Sequence, residues 1–438
     1  MKKNIVISVL TLGLLGSVNV NATEDLSSMF SEGKTSGQIR TFYINRDDNT
    51  KPDNQIATAI GGHLKFETAD YNGLSFGAAF YTTNRVLYDL ESDTSSMLNT
   101  TLLKNDGSSY SILGEAYLQY KYENTAFKAG RQKLDTPMAG SDDARMLPNL
   151  FEAYVLSNKD IDNTTLIVAH VTKIAAGTFA NAYDGKVVGA TAGYTAVVGN
   201  TAEYQGEFTN MGTWAIGQET DGVSTVAAIY KNDYVSLQAW DYYGYDILNA
   251  VYLQADVKWK CLISDSVKPF VAVQFIKEDG MGSYATKDVD SMYWGAKFGA
   301  SIAGFKAFVA YSQQSEADAG DALNKSTLTP WGGMPAFTQG MVTRHMFLAG
   351  TKAYKVAATY DFKDHGIDLS TTAYYASFDM DANSDYGTAR TTNEPGFDII
   401  YKPELVKKLS LRLRGNFPTE FGDNRDWNEY RFIANYNF

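Results

Sequence analysis

The chain has 438 residues, a formal net charge of −12 and one cysteine, Cys261. That balance excludes a nucleic-acid binder acting through its overall field, and a lone cysteine excludes an intrachain disulfide. The four histidines, His63, His170, His345 and His365, lack metal-ligand spacing, so neither a metal nor another cofactor is expected.

Lys2 and Lys3 open the chain, an apolar run follows from Ile5 to Val18, and Val20-Asn21-Ala22 closes the segment with small residues. This is the pattern of a secretory signal peptide over 1–22, too short to span a bilayer comfortably. A short periplasmic segment, 23–34, then leads to the first strand near Thr35. Beyond Ala22 no long apolar run suggests a membrane helix. The abundance of Tyr (29) and Phe (23) and the scarcity of Pro (9) favour strands.

Alternation carries the secondary-structure signal. In 74–80, Leu74, Phe76, Ala78 and Phe80 share one face; in 114–122, Ala116, Leu118, Tyr120 and Tyr122 oppose Glu115, Tyr117, Gln119 and Lys121. In 293–301, Trp294, Ala296, Phe298 and Ala300 oppose Lys297 and Ser301, and in 410–416, Leu411 and Leu413 oppose Ser410, Arg412 and Arg414. A period of two means strands with two unlike faces. Tight connections at 70–73, 123–124, 232–233, 302–304 and 364–366 alternate with long, polar, acidic ones at 85–109, 134–150, 278–290, 313–345 and 379–393. A sandwich has no reason for that alternation, whereas a transmembrane barrel has short periplasmic turns and long external loops.

The last strand is the sharpest local signal. Phe438, Tyr436, Ala434, Phe432 and Tyr430 lie on one face and Asn437, Asn435, Ile433, Arg431 and Glu429 on the other. A terminal Phe on such a strand resembles the signal read by barrel assembly machinery, which makes Tyr436 and Phe438 the expected assembly determinants. In hydrocarbon every backbone polar group needs a partner, so a spanning sheet must close on itself. The expected fold is therefore all-β, a transmembrane antiparallel barrel over 35–438. About twenty candidate strands can be drawn at roughly ten residues per span. Two of them fall between Lys186 and Thr209, and reading that stretch as an external excursion leaves eighteen.

Four stretches bear a family resemblance: Gly130-Arg131-Gln132, Asp135-Thr136-Pro137, Ser141 to Asn149, and Phe151-Glu152-Ala153. Together with Trp240-Asp241-Tyr242-Tyr243 and the ending Glu429-Tyr430-Arg431-Phe432, they resemble the OprD-type outer-membrane porins. The resemblance covers nearly all of the chain after Ala22 and is dense only at these motifs. It implies an eighteen-stranded monomeric barrel, a third external loop (134–150) folded inward as a constriction, a ladder of basic residues along the lumen wall, and small carboxylates as substrates. The Gly- and Thr-rich stretch 175–222 is longer than the family pattern implies.

A channel needs charge rings and a narrow neck rather than a nucleophile, so no catalytic residue is expected. Arg40, Lys128, Lys297, Arg412, Arg414 and Arg431 fall on polar strand faces and are the candidate pore-lining basic track; Asp142, Asp143 and Arg145 are the candidate constriction residues. Asp47, Asp48 and Asp53, Asp89, Glu91 and Asp93, Glu316, Asp318 and Asp321, and Asp379, Asp381 and Asp385 would make an acidic mouth. The plainer reading is that lumen residues are merely wettable and the loops merely solvated. The expected function is an outer-membrane porin for passive diffusion of small hydrophilic solutes, with outer-membrane lipids and lipopolysaccharide as neighbours and no nucleic-acid partner. A surface adhesin or structural barrel is the alternative, since long loops serve binding as well as gating. A barrel enzyme would need a serine and histidine held by a third polar group, and no such motif is visible.

Overall fold

The computed structural model describes residues 25–86, 97–183, 204–261, 264, 266–384, 387–422 and 424–438. The leader expected at 1–22 lies outside them. Asp25 caps a short helix, α1 (Leu26–Ser31), by accepting from the Ser28 backbone N–H at 2.7 Å. The acidic N-cap satisfies one of the amides that a helix start leaves without an intrahelical partner.

The strands follow in order: β1 (Lys34–Asp48), β2 (Gln55–Glu67), β3 (Leu74–Arg85), β4 (Tyr110–Tyr122), β5 (Thr125–Gln132), β6 (Leu150–Asn158), β7 (Thr164–Ala175), β8 (Thr209–Asn210), β9 (Val223–Lys231) and β10 (Val235–Gly244). Next come β11 (Leu248–Lys258), β12 (Lys268–Gly280), β13 (Asp290–Ile302), β14 (Phe305–Gln314), β15 (Lys352–Asp361), β16 (Leu369–Met380), β17 (Arg390–Tyr401), β18 (Leu409–Asn416) and β19 (Trp427–Asn437). Each long strand pairs antiparallel with its sequence neighbours, and β1 pairs with β19, so the sheet closes. β8 is only two residues long and lies in a loop, and β7 pairs directly with β9 from Thr164↔Tyr230 to Val171↔Val223. No spanning pair is inserted there. The barrel therefore has eighteen spanning strands, as the reading of 186–209 as an excursion implies, and the alternative of twenty falls away.

Closure leaves no open edge in hydrocarbon, where each unpaired amide would cost several kcal/mol. The alternation then sorts side chains by face. Phe76, Phe80, Leu118, Phe298, Leu413 and Phe432 stand exposed toward lipid, whereas Ile44, Ala57, Tyr293 and Glu429 are buried inside. Rings gather at the rim: Trp294, Tyr311 and Tyr354 follow one another on β13, β14 and β15 with centroids 5.3 and 5.1 Å apart, the girdle expected at a membrane interface. At Gly62, φ is +122° and an added Cβ would fall 1.9 Å from the Gln38 carbonyl oxygen. Only glycine lets β1 and β2 approach so closely there.

The short connections fall where the sequence places them. Asn72, Glu123 and Ala303 take left-handed backbone in the turns after β2, β4 and β13. The long connections do not behave uniformly. The seventh external loop, 315–351, reads as polar and acidic throughout, and the structure corrects this. Its acidic residues all stand at the start, whereas Leu328, Trp331, Val342, Met346 and Phe347 further along are all at most 1% exposed. Val342 joins Phe179, Phe421 and Trp427, and the other four pack with Leu134 and Met138 of the third loop (133–149) and with Met211, Trp214 and Ile216 of the fourth (176–222) into one apolar cluster. That cluster also holds inward residues of β6 to β16, including Trp240, Tyr252, Tyr293 and Phe378. It lies inside the barrel, against the wall.

Candidate functional site: the lumen wall and the loops folded onto it

The third loop is held by charge. From β1, Arg40 points inward and donates from Nη1 to Asp143 at 2.6 Å and from Nε to Asn435 of β19 at 2.9 Å. Lys133 adds a looser contact to Asp143 at 3.8 Å. Burial opposes the charge on Asp143, but the field and hydrogen bonds of Arg40 outweigh it and hold the carboxyl below the ordinary carboxylate value. Asp142 pairs with Arg344 of the seventh loop at 2.8 Å, and Ala139 bridges Trp331 of the same loop. Arg145 crosses to β19 and donates to Glu429 at 3.0 Å, both side chains being 0% exposed. The three residues expected in the constriction thus attach to three different places: Asp142 to another loop, Asp143 to β1, and Arg145 to β19.

Glu429 is shared. Arg46 of β1 reaches it at 2.7 Å and Arg431, two residues along β19, at 3.2 Å. Three buried guanidiniums surround one carboxylate; closure of β1 on β19 brings Arg46 to it and the folded third loop brings Arg145. Beside it, Arg414 of β18 stands directly across from Arg431 in the ladder. Asp398 of β17 accepts from Arg412 Nε at 2.8 Å and lies 3.5 Å from Arg414. Arg431 also donates to Asn416, yet its Nη1 and the Asn416 Nδ2 are buried with no hydrogen-bond partner.

The remaining basic candidates lie apart from this group. On β5, Lys128 sits 3.6 Å from the ring centre of Tyr117, and on β13 Lys297 sits 4.0 Å from that of Phe337, a residue of the seventh loop. Sequence reasoning missed Arg46, Lys65, Lys306 and Lys355, which share the inward parity of their strands. Lys65 pairs with Glu115 at 3.0 Å, and Lys355 donates to the Gln339 carbonyl at 2.6 Å. A stricter count by twos from Arg40 reaches Arg46, and a count by twos from Lys297 reaches the inward face onto which Lys306 also projects.

The acidic mouth is sorted differently from the expectation. Asp47 and Asp48 end β1 and Asp379 lies in β16, so these three are strand residues, corrected from loop residues. Asp48 is buried against Arg425 at 2.7 Å, bound in the wall rather than solvated. Glu316, Asp318, Asp321 and Asp381 do gather around one open cleft with Lys325. Asp89, Glu91, Asp93 and Asp385 lie outside the described residues. Among the described residues no group of His, Cys, Asp and Glu could hold a metal. Of the histidines, buried His345 of the seventh loop is pushed down to about 3 by desolvation, reinforced by the charge of Arg390, so its ring is neutral at working pH. His170 faces Ser224 across the β7–β9 pairing, with Nδ1 3.0 Å from Oγ, and the Tyr245 hydroxyl is 3.3 Å from that oxygen. This serine–histidine contact joins residues far apart in sequence and was not legible there.

A closed barrel with charged inward faces and long loops folded onto them is the architecture of an outer-membrane porin. The family model described as outer membrane porin, OprD family, matches residues 28–438, and the chain belongs to that family. Its place is the bacterial outer membrane. No curated protein sequence matches the chain significantly. Among solved structures, it is similar to Pseudomonas aeruginosa OccK9 (OpdG) at 19% identity and TM-score 0.74, over 94% of this chain and 99% of that one. Pseudomonas aeruginosa OpdK with vanillate aligns at 17% identity and TM-score 0.71, again over 94% and 99%. Pseudomonas aeruginosa OccK2 (OpdF), in complex with glucuronate, aligns at 15% identity and TM-score 0.69 over the same shares. At these identities the likeness shows the fold.

Proposed function

We propose that this porin passes small hydrophilic solutes with a preference for carboxylates, which move along a basic track of Arg40, Lys128, Lys297, Arg412, Arg414 and Arg431. The third loop, 134–150, narrows the path. One observation carries the reading: Arg414 and Arg431 stand side by side, with Arg431 Nη1 and Asn416 Nδ2 lacking partners. Two adjacent guanidiniums concentrate positive charge on this part of the wall, and that field favours an anion in the adjoining lumen. Guanidiniums stay charged at any working pH and can hold a carboxylate through two hydrogen bonds. Several weak sites in series let the anion enter and still leave. Vanillate and glucuronate, present in two similar structures, are both carboxylates. Outer-leaflet lipopolysaccharide and the barrel assembly machinery, the latter reading Tyr436 and Phe438, are the proposed macromolecular partners.

The test is a reversal potential under a salt gradient with the Arg412→Gln/Arg414→Gln variant, followed by block with small carboxylates. The variant should lose anion preference and carboxylate block while remaining heat-modifiable. Arg431→Gln is added as a third substitution only after the double variant folds, since Arg431 also supports Glu429. An unaltered reversal potential and unaltered block would leave a general, weakly selective pore.

A further inference from the structure

Among the described residues, one charged group on the outward side joins three neighbouring strands and is not used by the channel. Arg131 is the penultimate residue of β5, Glu152 the third of β6 and Lys173 the third from the end of β7. The ladder sets Arg131 opposite Glu152 and Glu152 opposite Lys173. Their neighbours along the strands, Gln132, Ala153 and Ile174, are buried inside, so these three point outward. All three sit at the ends of strands that lead into the long external loops, one step above exposed Tyr154.

We propose that Arg131 and Lys173 form a binding site for the phosphate groups of lipopolysaccharide in the outer leaflet. This deepens the partner reading given above and is independent of the carboxylate track. The internal pairing is loose: Arg131 Nε is 3.8 Å and Lys173 Nζ 3.4 Å from the Glu152 carboxylate, and their side chains remain 38% and 43% exposed. One carboxylate between two cations leaves a local positive surplus, against the −12 of the whole chain. Arg131 is also held in place. Its guanidinium carbon lies 4.4 Å from the Phe208 ring centre, and Nη1 points at the Leu113 carbonyl at 3.4 Å. Leu113 pairs with Phe80 at a register shift between β3 and β4 that skips Gly114. A second shift, at Glu152/Ala153, frees Thr172 to donate to the Glu152 backbone oxygen at 3.1 Å. Both charged strand ends are thus set by irregularities rather than by plain strand geometry. A prefixed guanidinium loses less freedom on gripping a phosphate, and its planar fork matches phosphate oxygens. Below the charges, Phe127, Tyr154, Leu156 and Val168 are exposed outward and offer acyl chains an apolar surface. At headgroup depth an outward cation costs little, whereas deeper it would cost about 2–4 kcal/mol.

The experiment uses the full barrel refolded in detergent, with binding of purified lipopolysaccharide measured by native mass spectrometry and by the shift in thermal unfolding. Arg131→Gln/Lys173→Gln should weaken binding by roughly fivefold for each cation removed, the scale for one basic side chain at an anionic membrane surface. Glu152→Gln, which removes the competing carboxylate, should tighten it. Dephosphorylated lipopolysaccharide and phosphatidylglycerol vesicles should bind the wild type more weakly than intact lipopolysaccharide. Conductance in the same samples should not change, which separates this site from the lumen track. If the double variant does not fold, Lys173→Gln alone carries the loss and Glu152→Gln the gain. Equal binding by wild type and charge variants, a weakening by Glu152→Gln, or equal binding of dephosphorylated lipid would each overturn the site.

Discussion

Glu429→Gln tests whether one carboxylate holds the third loop to the closing seam. The wild-type side chain takes four contacts from three arginines: Arg46 Nη2 at 2.7 Å and Nε at 2.8 Å, Arg145 Nη2 at 3.0 Å, and Arg431 Nε at 3.2 Å. The glutamine amide keeps one acceptor oxygen, enough for part of Arg46, and places an NH2 group against the other two guanidiniums. Arg46 and Arg145 both then lose this acidic partner. Breaking one buried pair costs about 3–5 kcal/mol because a charge is left uncompensated. With three guanidiniums on one site, the loss should lie at the upper end of that range. The cation–π contact of Arg46 with Trp427, at 5.0 Å, survives and offsets part of it. Arg145 is the residue that ties the third loop to β19, so its release should also loosen that loop. Urea titration of folding into lipid vesicles, followed by tryptophan fluorescence, gives the stability. Planar-bilayer recording gives the conductance, which should rise and become noisier. A change below about 1 kcal/mol, in the range of exposed pairs, with unchanged conductance would refute the reasoning that Glu429 is a buried keystone.

Three further outcomes are expected. Removing Phe438, whose N–H and C=O pair with Gly37 at 3.1 and 3.3 Å and whose ring faces that glycine, should lower the yield of heat-modifiable barrel without altering the conductance of channels that form. Deleting 139–144 removes the Asp142–Arg344 and Asp143–Arg40 pairs together with the bridge to Trp331, and should raise single-channel conductance in a folded barrel; unchanged conductance would place the loop out of the path. Because Asp143 is held below its ordinary value, its contribution is complete above the normal carboxylate pKa and is lost as pH falls through the lower folded value. Conductance noise from this loop should therefore stay flat from pH 8 to about 5 and increase only below about pH 4, near the reference carboxylate value; onset near pH 6 would contradict that assignment.

The sequence by itself determined the barrel and the two faces of its clearly alternating strands. Those properties are local. A side chain that alternates with a lipid-facing neighbour must face inward, which places Arg412 and Arg414 together on one side of β18 without reference to any other strand. Turn chemistry at Asp70 to Gly73 and at Glu123-Asn124 is equally local, and the closing strand announces itself through Tyr430 to Phe438. Loop behaviour and charge partnership were decided only by tertiary structure. The seventh loop read as acidic because Glu316, Asp318 and Asp321 stand first, while Trp331, Met346 and Phe347 carried the opposite instruction with no strand period to frame it. Glu429 meets Arg46 and Arg145 across 383 and 284 residues, by closure of the sheet and by a loop folded back onto it. Periodicity reports which way a side chain points along its own strand; what waits on the other side depends on register, closure and the return of loops, and those arise from contacts between segments distant in the chain.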